Sequence, residues 1–174
     1  SIQVTGVQTC ALPISLERRY YNAAMRCNCQ RCHNCIDNCI HTFAGVRLRL
    51  KCAKIMKLQG YEEPIGKAKI TPAYNLPCDS VIHTVGPIAQ GRLIKKHCEL
   101  LKSCYQSCLE LAVQNGLKSI AFCCISTGVF GFPQEKAAEI AVDTIRAFLK
   151  TYEIEVICNV FTEKDFEIYK RSLG

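Results

Sequence analysis

The stretch from Ser119 to Leu149 constrains this chain most. It reads SIAFCCI, then STGVFGFP, then QEKAAEIAVDTIRAFL. The uncharged apolar opening predicts a short strand buried on both faces. The closing block places Ala137, Ala141, Ile145, Phe148 and Tyr152 on one stripe at helical spacing, which predicts an amphipathic helix. Between them, Gly128 and Gly131 permit positive φ and leave backbone N–H groups uncovered. A strand feeding such a loop into a helix suits phosphate binding, through bare amides and the helix N-terminal dipole. An ordinary βα turn holding two glycines accounts for the same residues equally well. The loop is neither G-x-G-x-x-G nor G-x-x-x-x-G-K-[ST], which disfavours a Rossmann dinucleotide site and a P-loop nucleotide hydrolase.

The length of 174 residues, with 49% hydrophobic and 21% charged side chains, is enough for one globular domain with a sizeable core. No apolar run approaches the roughly 18 residues that span a bilayer, and no signal peptide is evident. The net charge of +7 suits an anionic ligand, although the lysines are scattered and equally describe a solvated basic surface. Of the 14 cysteines, Cys52, Cys98, Cys104, Cys108, Cys123, Cys124 and Cys158 fall inside periodic or apolar segments, where they act as small hydrophobes. That usage argues against a secreted disulfide framework and for a reducing, cytoplasmic location.

Residues Val4 to Ile14 read VTGVQTCALPI, matching the conceptual translation of a widely used sequencing-library adapter. Ser1–Ser15 is therefore expected to be an adapter-derived artefact, leaving residues 16–174 as a single domain whose first elements are missing.

The segment after Asn22-Ala23-Ala24 carries the densest chemistry. Cys27, Cys29, Cys32, His33 and Cys35 lie within nine residues of one another. Thiolates and imidazole crowded this closely suit tetrahedral zinc. No second ligand pair follows at finger or ribbon spacing, so three protein ligands with an open fourth position is the favoured arrangement, as in catalytic zinc sites. A cysteine-rich loop without metal is the alternative. Asp37 follows at the start of a helix predicted over Ile36–Leu58, with Ile40, Phe43, Ala44, Leu48, Cys52 and Ile55 facing inward. Its carboxylate either complements the helix dipole or points into a site beside the cysteine loop. His41, one turn on, is expected to be packed rather than a ligand.

Residues Gly66 to Ile88 predict two strands around a Pro-marked loop. Gly91–Gly116 predicts a long helix with Ile94, Cys98, Leu101, Cys104, Cys108 and Leu111 inward and Gly116 as its cap. Glu155–Phe161 predicts a last strand, and Thr162–Leu173 a last helix with Thr162 as N-cap. Strands alternating with helices imply an α/β sandwich with helices on both faces of a mixed sheet.

Taken in order, NAA, HNCIDNCIHTFAG, GKAKITPAYNLPCDSVIHTVGP and ISTGVFGFP resemble the macrodomain family of ADP-ribose binders and hydrolases. The Cys and His ahead of CIDN are similar to its zinc-containing branch, found in microbes beside specialised sirtuins. The resemblance covers Asn22 to Leu173 and implies a three-layer α/β/α macrodomain-like sandwich with a central mixed sheet, lacking its N-terminal strands. It implies that Ser126, Thr127, Gly128, Val129, Phe130, Gly131 and Phe132 wrap the diphosphate and distal ribose. Asn22 opens the ribose loop, Asn38 joins the ligand-binding residues, and Phe161 lies where an aromatic packs near the adenine. His33 and Cys35 match two zinc ligands, and Asp37 matches a carboxylate that positions or activates the attacking water.

The departures from the family are specific. Met25 stands where the ribose loop N-A-A-N has its second asparagine, and the third zinc ligand falls at Asn28, flanked by Cys27 and Cys29. The turn that reads the adenine amino group is expected before Asn22, where the adapter-like residues stand, leaving a sheet edge exposed. The implied function is a zinc-dependent hydrolase removing ADP-ribose from modified proteins, with a sirtuin-type ADP-ribosyltransferase acting on the same substrate. A reader that holds ADP-ribose without cleaving it is the alternative. A zinc-dependent nucleic-acid module is a third reading, disfavoured because no aromatic-basic stripe accompanies the cysteines. No membrane association is implied.

Overall fold

A computed structural model of the chain describes residues 1–5, 22–24 and 36–174. Six strands and five helices are described: β1 (Ile2–Thr5), β2 (Asn22–Ala24), α1 (Ile36–Ala44), α2 (Val46–Gln59), β3 (Ala68–Pro72), β4 (Ser80–Thr84), α3 (Lys95–Gln114), β5 (Ser119–Phe122), α4 (Gln134–Leu149), β6 (Glu155–Asn159) and α5 (Glu163–Leu173). They form two three-stranded ladders, β1-β6-β5 and β2-β4-β3. All pairings are parallel except β3 against β4. β2 lies against β5, so the ladders continue one another as a mixed sheet.

Period-two alternation along β4 shows how the layers divide. Val81 joins the core under α1 and α2 with Ile40, Ala44 and Leu48, whereas Ile82 joins the larger core under α3, α4 and α5. In that larger core Tyr105 packs against Phe122 with ring centroids 5.0 Å apart. Ala137, Ala141 and Ile145 of α4 are fully buried, as their spacing predicts, while Tyr152 lies past the helix end and stacks on Phe148 at 4.5 Å. Thr162 caps α5, its Oγ1 accepting from the Asp165 N–H at 3.1 Å.

The continuous helix predicted over residues 36–58 is broken. Gly45, with φ 83° and ψ 179°, separates α1 from α2. A Cβ there would sit 2.8 Å from Asn75 Nδ2, so the β3–β4 loop occupies the space beside the junction. Phe43, predicted to face inward, is 51% exposed because the buried stripe of α1 runs through Asp37, Ile40, His41 and Ala44. The third helix begins at Lys95 instead of Gly91, leaving Ile94 as an exposed N-cap. β6 ends at Asn159, two residues short of the expected Phe161.

Ile2–Thr5 pairs with Val156–Asn159 and fills the edge of β6 that was expected to be open. Backbone pairing by a short tetrapeptide with three β-branched residues, Ile2, Val4 and Thr5, reports on main-chain complementarity. Among the described residues no helix is long and apolar enough to cross a membrane.

Candidate functional site

The loop between β5 and α4 closes on itself. Phe132 N–H donates to Ser126 O at 3.0 Å, Gly131 N–H to Gly128 O at 2.9 Å, and Thr127 Oγ1 to Cys124 O at 3.1 Å. The segment after β4 braces it from the side: Ala89 N–H donates to Phe130 O and Gln90 Nε2 to Val129 O, both at 2.8 Å. Phe132 is buried, while Gly128 and Val129 are exposed. With these bonds made, the N–H groups of Gly128, Val129 and Phe130 have no acceptor among the described residues. Helix α4 begins directly after Pro133 without a side-chain cap. Successive unspent amides leading into an uncapped helix N-terminus form a nest for a multiply charged anion.

The topology places this nest at the carboxyl edge of the sheet. The segments leaving β4 and β5 touch, and β2 and β6 run parallel to them in their respective ladders. Ligands of open α/β sheets bind at that edge, outside the carboxyl ends of the strands.

Asp37 lies in the first turn of α1 and is 8% exposed. Burial pushes its carboxyl up to about 6, against the opposing pull of Arg49. His41 Nε2 stands 3.5 Å from its Oδ1, which otherwise has no hydrogen-bond partner among the described residues. Burial, then Arg49, lowers the His41 pKa, so the imidazole is neutral at pH 7 and this contact is not a charged pair. Behind it in β4, burial pushes His83 down to about 4, with His41 adding in the same direction. His83 Nε2 pairs with Thr71 Oγ1 at 2.8 Å. A buried carboxylate with an unspent oxygen is equipped to orient or deprotonate a water.

Of the other expected site residues, Asn22 opens β2 opposite Ile82, and Asn38 follows Asp37 in α1. Phe161 is 64% exposed just past β6, free to stack on a planar ligand. Cys27, Cys29, His33 and Cys35, together with Met25, lie outside the described residues. Sequence reasoning missed the bracing residues Ala89 and Gln90, and the His83–Thr71 pair. The string HTVGP marked their neighbourhood without revealing a role.

The Macro domain family profile matches residues 22–141. A protein-ADP-ribose hydrolase of Treponema medium is 59% identical over 155 residues, covering 88% of this chain and 59% of the relative. The chain therefore spans little more than half the length of that relative. An Oceanobacillus iheyensis macrodomain structure with MES bound superposes with a TM-score of 0.83 at 33% identity, covering 99% of this chain and 88% of that one. A Trypanosoma brucei macrodomain in complex with ADP-ribose gives 0.80 at 31% identity, covering 99% and 69%.

Proposed function

The chain belongs to the Macro domain family, and from that membership we propose that it is a hydrolase removing ADP-ribose from ADP-ribosylated proteins. The observation that carries this reading is the braced nest at Gly128, Val129 and Phe130, whose unspent amides suit a diphosphate. The Treponema relative is named for this activity, and the Trypanosoma macrodomain holds ADP-ribose.

In this reading the Ser126–Phe132 loop grips the diphosphate, Asn22 opens the loop that meets ribose, Asn38 joins the ligand-binding residues, and exposed Phe161 stacks on the adenine. Asp37 orients a water, or takes its proton, as the water's oxygen adds to one side of the scissile bond. The proton passes to the departing side chain, and free ADP-ribose and unmodified protein result. His33, Cys35 and either Cys27 or Cys29 would hold a zinc ion, for which thiolate and imidazole donors are chemically suited. Zinc bound there would supply Lewis acidity towards the distal ribose or its attached group. A sirtuin-type ADP-ribosyltransferase fits as the enzyme that supplies the modified substrate.

The test is release of free ADP-ribose from a mono-ADP-ribosylated protein, with and without a chelator. Asp37→Ala is expected to lower turnover by about 100-fold or more while keeping ADP-ribose affinity within a few fold. Retained turnover in that variant rejects the role given to Asp37. Met25, in place of the ribose-loop asparagine, favours a second reading, a binder without turnover. Tight ADP-ribose binding by a parent chain that carries no zinc and cleaves nothing would establish it.

A further inference from the structure

We infer that Gly86, which belongs to neither the loop nor the carboxylate helix, is the positioning residue that seats the anion loop. A Cβ on Gly86 would lie 2.2 Å from Ser126 Oγ and 2.8 Å from Ile125 Cγ2. Gly86 itself does not have the positive φ that would call for glycine, so close approach alone demands the missing side chain. The strain sits on its neighbour: Ser126 has φ 67°, a left-handed conformation that residues with a Cβ rarely adopt. The Ser126 hydroxyl is buried and has no hydrogen-bond partner among the described residues. Its oxygen packs directly over Gly86. Because Ser126 O accepts the Phe132 N–H that closes the loop, displacing Ser126 displaces the free amides between them. Ala89 and Gln90, three and four residues further on, hold the opposite limb through Phe130 O and Val129 O. One short segment after β4 thus sets both the seat and the height of the nest.

The inference rests on the ADP-ribose reading for the identity of the ligand. Calorimetric affinity for ADP-ribose and the melting temperature are measured for the parent, Gly86→Ala, Ser126→Gly and the double variant. Gly86→Ala is expected to cost about tenfold or more in affinity in the parent background, since a displacement near 1 Å is felt that strongly. In the Ser126→Gly background, where the hydroxyl is gone and the backbone is unstrained, the same change is expected to cost about threefold or less. Equal losses in both backgrounds, or no loss in either, overturn the inference. Gln90→Ala removes one brace without adding bulk. It is expected to weaken binding about threefold with an unchanged far-ultraviolet spectrum, and unchanged affinity contradicts the brace. A parent chain that binds no ADP-ribose rejects the ligand reading instead. The Gly86–Ser126 interlock then stands if the melting temperature lost in Gly86→Ala returns in the double variant, and falls if it does not.

Discussion

His83 ties stability to pH. Its unfolded imidazole titrates near its ordinary value of 6.5 and its folded one at about 4, so the unfolded chain takes up the proton first. The stability linked to this residue is whole above pH 6.5 and is lost as pH falls towards 4, about 3 kcal/mol in all. Asp37, with its carboxyl raised to about 6, acts in the opposite sense: its burial costs nothing below 3.8 and is fully felt above 6. Comparing a variant with its parent separates the two. Urea unfolding of His83→Gln at pH 7.5 and at pH 5.0 is expected to show a stability difference smaller than the parent's by about 2 kcal/mol. Equal differences in both proteins would contradict the linkage. The helix turn that holds Asp37 and the turn from Ser126 to Phe132 were legible as local structure because each sits in a long ordered motif. The His83–Thr71 pair was not, since it depends on register: Lys69 stands opposite His83, and Thr71 reaches it from the diagonal position. Nor does a sequence announce that a serine will take positive φ beside a distant glycine.

Among the elements, the α1–α2 junction decides how the carboxylate helix is held. The apolar pattern runs unbroken through Gly45, so periodicity alone reads one helix over residues 36–58. The interruption comes from the β3–β4 loop, where Asn75 crowds Gly45 and accepts from Arg47 Nη2 at 3.1 Å, while the Arg47 guanidinium lies 5.1 Å over the Tyr74 ring. The two pictures give opposite signs for one substitution. In a continuous helix Gly45→Ala would stabilise by about 1 kcal/mol. At φ 83° and with Asn75 in the way, it is expected to destabilise by about 2 kcal/mol, lowering the melting temperature by roughly 4–8 °C. A rise in the melting temperature would restore the unbroken helix. The order strand, glycine loop, helix from β5 to α4, by contrast, was legible because each part carries its own local signal, although β5 stops at Phe122, three residues before the end of its apolar run, and Tyr152 falls beyond α4.

Over the whole molecule, fold class and layering followed from alternation of elements, and the carboxyl edge of the sheet gathers the nest, the bracing segment and the strand carrying Asn22. The origin of the first fifteen residues is a separate matter, because any extended segment of suitable residues can pair with the edge of β6. We propose that Ser1–Ser15 is adapter-derived, and resequencing the locus is expected to find other codons there; native coding sequence running through them would contradict it. In the proposed complex, unspent backbone amides of the β5–α4 loop hold ADP-ribose. Titration of ADP-ribose into the ¹⁵N-labelled chain, followed by amide chemical shifts, tests that directly. The largest shifts are expected at Gly128, Val129 and Phe130; a saturating titration that leaves those three amides unmoved, or a chain that does not bind, would contradict it.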